Sequence, residues 1–220
     1  MKGTRVYSRR RIALRRLVKA AAVLLVAQQV FLIGLLTPRQ AIWKMEERQG
    51  VKWTRVVARD WSPEVHWSHL MYLTANEEAT VLSDTYLTIY GWMGGFGNAL
   101  DCTTGAAFYA GERTVRREGK ENSTWYYYGR VDDPAIETVV ISMQYEVWED
   151  DGPVRREVRR ETVGREDMIR RGGRQYFLLV LPELEWTVDA PVKSVAAALD
   201  SQGRELARMD ITEKEHSYYG

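Results

Sequence analysis

His66 and His69, with Asp60 and Glu64 nearby in sequence, are the residue types that hold zinc, because imidazole nitrogens and a carboxylate are among its usual ligands. The spacing opposes that use. On a strand, positions 66 and 69 project to opposite faces, the helical His-Glu-x-x-His pair is absent, and His216 is remote. Ser62 with His66 and Asp60, or Cys102 with either of the two neighbouring histidines, has the composition of a nucleophilic site, yet neither set sits in a nucleophile elbow. Gly91, Gly94, Gly95 and Gly97 lie in the segment GWMGGFGN, whose backbone could approach a phosphate closely. No Lys-Ser/Thr pair follows it, so it reads as a connection between strands. The sequence therefore assigns no catalytic residue, no metal ligand and no cofactor.

Two surface chemistries remain. Arg155, Arg156, Arg159 and Arg160 open an arginine-dense run that continues through Arg165, Arg170, Arg171 and Arg174. Guanidinium groups grip phosphate bidentately, so the run has the means to bind an anionic polymer or lipid headgroups. Glu146, Glu149, Glu157, Glu161, Glu166 and Asp167 are interleaved with it, and cross-strand pairing into a solvated, salt-bridged face is the expectation. Trp125 and Tyr127 occupy alternate positions of one expected strand and share a face. Exposed, they would stack on sugar rings; aromatic residues at such positions more often belong to a core.

The elements that must position these residues follow from composition and pattern. A chain of 220 residues, 45% hydrophobic and 28% charged, allows one domain of ordinary size plus an anchor. Its net charge of +1 hides an asymmetry: residues 1–19 hold eight Lys and Arg and no acid, so they carry +8 and the rest of the chain −7. The basic cluster adjoins an apolar run rather than a folded binding module, which argues against nucleic acid as a partner. With the single cysteine Cys102, no intrachain disulfide can form, which leans toward a bacterial exported domain.

From Ala20 to Leu36 the chain is uncharged and mostly apolar. With Leu17, Val18 and a snorkelling Lys19 it reaches about 20 residues, enough to span a bilayer as a helix. The basic residues in front place the N-terminus in the cytoplasm. Gln28 and Gln29 are polar amides that could pair across helices, although a single span tolerates them. A cleaved signal peptide, giving a secreted protein, is the alternative. Arg39 stands where the cleavage site wants a small residue, which favours an uncleaved anchor. The organisation expected is a basic cytoplasmic tail (1–16), a transmembrane helix (17–36), a helix-compatible juxtamembrane connector (37–51) with Trp43 near the headgroups, a β-rich extracytoplasmic domain (52–212) and a C-terminal tail (213–220).

Within the β-rich region, short β-branched and aromatic runs are separated by Gly, Pro, Asp and Asn. Strands are expected at 64–73, 80–92, 106–115, 123–131, 138–148, 154–163, 175–181, 192–200 and 205–211. The clearest are a hairpin turning at Glu149-Asp150-Asp151-Gly152-Pro153 and a closing hairpin through Asp200-Ser201-Gln202-Gly203. The fold class expected is mainly β, an N-terminal transmembrane helix followed by a β-sandwich, with the immunoglobulin-like arrangement as one form.

The stretch Tyr126-Tyr127-Tyr128-Gly129-Arg130-Val131-Asp132-Asp133-Pro134-Ala135-Ile136-Glu137-Thr138-Val139, the run Gln175-Tyr176-Phe177-Leu178-Leu179-Val180 and the closing Ala198-Leu199-Asp200-Ser201-Gln202-Gly203-Arg204-Glu205-Leu206 resemble the C-terminal part of small, uncharacterised membrane-anchored or lipoprotein-like proteins of Gram-positive bacteria. The resemblance covers a minority of the chain and carries no catalytic residues. It implies location and fold: a single-pass membrane protein with its C-terminal domain outside. The function expected is that of a binding or interaction protein of the cell envelope whose partner is an envelope protein or a cell-wall polymer. An envelope-acting hydrolase and a signalling component with a sensory ectodomain are the alternatives.

Overall fold

The computed structural model describes residues 9–30, 35–61, 68–116, 123–147, 155–181 and 192–212. The expected sites Ser62, Glu64 and His66, the turn at 149–153 and the tail 213–220 lie outside them. The chain is mainly β: two helices, α1 (Arg9–Val30) and α2 (Pro38–Arg48), precede twelve strands among the described residues. No helix among these residues is long and apolar enough to cross a membrane. α1 carries the first part of the expected span, and residues 31–34, which would continue it, are not described.

α2 is built by local rules. Thr37 caps it, its hydroxyl accepting from the Gln40 amide while the Gln40 side chain returns to the Thr37 backbone, and Pro38 fills a first-turn position where no donor is needed. The segment expected only to connect anchor to domain thus folds and docks. Ala41, Ile42 and Glu46 are buried where α2 lies across the sheet that follows.

That first sheet contains β1 (Arg55–Trp61), β2 (Leu70–Ala75), β3 (Ala79–Thr88) and β4 (Gly91–Asp101) in sequential antiparallel order. A second has the order β5 (Phe108–Arg116), β6 (Ser123–Val131), β10 (Arg174–Leu181), β9 (Ile169–Arg171). The third has the order β12 (Glu205–Asp210), β11 (Lys193–Leu199), β7 (Thr138–Val147), β8 (Arg155–Gly164).

Two cores join them. Phe108, Trp125, Tyr127 and Phe177 of the second sheet pack on Val139, Ile141, Met143 and Ala196 of the third. From its other face, Tyr126, Tyr128 and Tyr176 pack on Met71, Leu73 and Leu82 of the first. The second sheet is therefore the middle of three layers. A two-sheet sandwich, immunoglobulin-like or otherwise, was the expectation, and the structure corrects it. β6 explains the difference: Thr124 to Val131 are all buried, because both faces of the strand are covered and polar alternation has no role there.

The strands missed by sequence have simple causes. β4 is the glycine-rich segment expected to be a connection. β1 has a single buried residue, Val57, between exposed Arg55, Arg59 and Trp61, so it lacks a regular apolar alternation, and β9 is only three residues long. The expected strand 80–92 is divided by a two-residue turn at Ile89 and Tyr90, closed by Gly91 at φ 116, a conformation that side chains disfavour.

Candidate functional site

His69 is buried, and its Nε2 stands 3.2 Å from Asp84 Oδ2. The second Asp84 oxygen accepts the Phe96 backbone amide, so this carboxylate is committed to holding β3, β4 and the start of β2 together. Asp60, the partner expected for a histidine, instead accepts the Tyr126 hydroxyl at 3.4 Å from the middle sheet. Among the described residues no three His, Cys, Asp or Glu side chains gather as metal ligands do. Cys102 is buried, with Thr80 Oγ1 at 3.6 Å, and burial pushes its thiol up, away from the thiolate a nucleophile needs.

The glycines of β4 serve packing, not phosphate. A side chain at Gly94 would run into Met45 and the Ala41 carbonyl of α2, one at Gly97 into Gln49, and one at Gly95 into the Asp84 carboxylate. Gln49 Nε2 donates to the Gly97 carbonyl across the same contact. Glycine in this strand lets a helix backbone close on the sheet.

The aromatic face is also corrected. Tyr127 is 0% exposed and Trp125 4%, both inside the core between the second and third sheets. Neither ring can receive a sugar. The exposed large aromatics among the described residues include Trp43, Trp53, Trp61 and Tyr90, and Trp53 adopts φ 58, unusual for a tryptophan. Around Tyr127 a buried polar group gathers: Glu112, Tyr145 and Ser194 lie against its hydroxyl. Burial, then the Glu112 carboxylate, pushes the Tyr127 hydroxyl far above its ordinary range, and burial pushes Tyr145 up to about 12. These hydroxyls stay protonated at neutral pH and specify packing within the core.

Sequence reasoning passed over two further buried ions. Arg130 is 2% exposed in β6; its Nε meets Asp132 Oδ2 at 3.0 Å, and its terminal nitrogens donate to the carbonyls of Glu77 (3.0 Å) and Cys102 (3.3 Å) while the group lies over the Tyr109 ring. Burial alone would lower its pKa, but the Asp132 bond and neighbouring charges more than offset this and raise it. Glu46 is 1% exposed in α2 and accepts the hydroxyls of Thr54 (2.7 Å) and Thr74 (2.5 Å), with Arg39 at 3.7 Å. Arg39 reaches the Thr54 carbonyl as well, at 2.7 Å. The signal for Arg130 was a charge next to an aromatic run; Glu46, among Lys44, Glu47 and Arg48, carried none.

The arginine run divides. Arg159 pairs with Glu161, Arg165 with Glu137, and Arg174 with Asp132. Arg156 and Arg160 are exposed on β8, an edge strand, on the face turned away from the core, with Arg156 opposite Glu146; the side chain of Arg155 is not described. Their registers put Arg160 opposite Ser142 and Val158 opposite Gln144, which in turn faces Lys193 of β11. The outer face of the third sheet thus mixes Ser142, Gln144 and Ala197 with Val140, Val195 and the exposed Val158, and carries Arg156, Arg160 and Lys193. Arg160 and Lys193 are two strands apart, roughly 10 Å across the sheet, so each can meet a separate anionic group of an extended ligand. Comparisons of the chain with protein-family models, with curated proteins and with solved structures find no match.

Proposed function

We propose that this chain is a membrane-anchored binding protein of the bacterial cell envelope, held by the apolar segment of residues 17–36, of which α1 covers 17–30, with its N-terminus inside and its β domain outside. The observation that carries the anchor is the environment of α1. Leu14, Leu17, Val18, Val23 and Val26 fall all around the helix at 100° per residue, and every one is exposed. None of the described side chains of α1 is buried, and apolar side chains exposed on several sides of a helix suit lipid; the basic residues before the apolar segment orient it.

The binding face is the outer surface of the third sheet, where Arg156, Arg160 and Lys193 stand. Its partner is an envelope protein or a wall polymer bearing spaced anionic groups. An open, solvated sheet face suits an extended ligand, and the chemistry it offers is charge-assisted hydrogen bonding. His69, Asp60 and Cys102, the described groups considered for catalysis, make their contacts within the β domain, which favours binding over hydrolysis.

The test is recovery of crosslinked partners from cells carrying the full chain, together with binding to purified anionic wall polymer. We expect Arg156→Ala/Arg160→Ala/Lys193→Ala to lose the bound partner while the protein stays folded and in the membrane. Recovery of no envelope partner, combined with no binding to wall polymer, would sink the proposal.

A further inference from the structure

We propose that the β3–β4 hairpin tip is a second membrane contact, dipping into the headgroup and acyl boundary of the outer leaflet beside the anchor. This inference rests on the reading of residues 17–36 as a membrane span. Trp92 is the link. Its amide donates to the Leu35 carbonyl at 2.8 Å, and its carbonyl accepts the Leu35 amide at 2.9 Å, so the penultimate residue of the apolar segment is pinned to the start of β4. The turn residues Ile89 and Tyr90 precede Trp92 by three and two positions, at most about 10 Å of extended chain. Wherever the apolar segment leaves the bilayer, the tip is there too.

The composition of the tip fits that place. Residues 85–100 contain no charged side chain, in a protein of which 28% of residues are charged. Ile89 is 93% exposed and Tyr90 62%, and Met93 and Leu36 are also exposed beside them. Trp61 ends β1 at the same end of the sheet, since it faces Leu70, Leu70 faces Thr85 and Thr85 faces Gly94. Tyrosine and tryptophan around an aliphatic point is the chemistry of a membrane interface, where the ring bodies meet acyl chains and their polar atoms meet headgroups. The turn itself is built to present these residues: the Thr88 hydroxyl accepts the Tyr90 amide and donates to the Gly91 carbonyl, which holds Ile89 and Tyr90 outward. Isoleucine and tyrosine are poor choices for a two-residue turn facing water, where Asn-Gly or Asp-Gly is preferred. Two contacts, helix and tip, would fix the tilt of the β domain relative to the membrane and hold the outer face of the third sheet at a set height.

The test uses the full chain with Cys102→Ser, reconstituted in phosphatidylcholine and phosphatidylglycerol vesicles and carrying one spin label at a time. The positions are Val23→Cys in the helix, Ile89→Cys and, separately, Tyr90→Cys at the tip, and Ser201→Cys in the β11–β12 turn. Accessibility to oxygen, which enters lipid, is compared with accessibility to a water-soluble nickel chelate. Labels at 23, 89 and 90 shifted toward oxygen, with 201 shifted toward nickel, is the expected result. A label at 23 in lipid with 89 and 90 in water overturns the tip contact and leaves the span standing. Labels at 89 and 90 shielded from both reagents mean that a second copy or other protein covers the tip, which also overturns it. A label at 23 in water removes the span and the inference with it.

Discussion

Arg130 and the pair Arg156 and Arg160 are one residue type in strands of one domain, and they have opposite fates. Arg130 lies in β6, the middle of three layers, where water cannot solvate it; the fold supplies Asp132, two carbonyls and the Tyr109 ring in water's place. Arg156 and Arg160 lie on edge strand β8 and point to solvent, where charge costs little and also discourages another chain from pairing with the edge. The cluster draws attention in the sequence because it is dense, whereas the lone arginine ties the layers together. Buried, a guanidinium supports the fold; exposed, it is available to a partner.

The strongest way to break this contrast is Arg130→Met. It removes the guanidinium that reaches from β6 to the Glu77 and Cys102 carbonyls beside the first sheet, and leaves the Tyr109 hydroxyl as the donor to Cys102. A loss of about 3–5 kcal/mol is expected in urea unfolding. Lysine should recover little, because one ammonium cannot reproduce the planar fork that meets Asp132 and the carbonyls together. A loss under about 1 kcal/mol would show that Arg130 is not what joins the layers.

The tyrosines in and against the middle layer have a pH signature of smaller size. Burial raises the hydroxyl pKa values of Tyr127, Tyr145 and Tyr176 above the ordinary 10.0. A folded-state value above the unfolded one means that the folded chain holds the proton more tightly. The stability from each tyrosine is therefore intact below pH 10 and falls as pH rises from 10 through the folded value, about 12 for Tyr145. Each such group costs up to about 1.4 kcal/mol per pH unit across that window. The tyrosinate absorbance of these three should appear together with unfolding, and Tyr145→Phe should move the alkaline midpoint upward. Smooth ionisation of all tyrosines in a folded protein would contradict the burial of this layer.

Much of the fold could be read from pattern. β6, β7, β8, β10, β11 and β12 were expected within a residue or two of where they lie, because alternation and turn residues act locally. Their stacking could not be read in that way. Trp125 and Tyr127 alternate as residues of a two-layer sheet with an open face would, and the cover on the other face comes from β1 to β3, distant in sequence. The uninterrupted Trp125 to Tyr128 run was the one sign of it. β4 escaped because glycine is a weak strand former, and its value at Gly94 and Gly97 appears only once α2 is seen against it. Arg130 and Glu46 escaped because the chain does not state which acceptors a fold will bring to a buried charge.

The smallest expected effect sharpens the comparison from the exposed side. Arg160→Ala, or Arg156→Ala with it, removes side chains from a solvated face, where substitutions away from packing contacts change stability by no more than about 0.5 kcal/mol. Urea midpoints should barely move, in contrast to Arg130→Met. If the outer face of the third sheet binds anionic groups, retention on immobilised wall polymer should weaken in the same variants and also weaken for the native chain as salt rises, since exposed charges are screened beyond about 10 Å at 0.1 M ionic strength. Arg159, paired with Glu161 at 2.6 Å, is the internal control: it is already neutralised by its neighbour, and Arg159→Ala should reduce retention less than Arg160→Ala. Equal loss from both would mean that charge density, not the outer face of β8, governs binding.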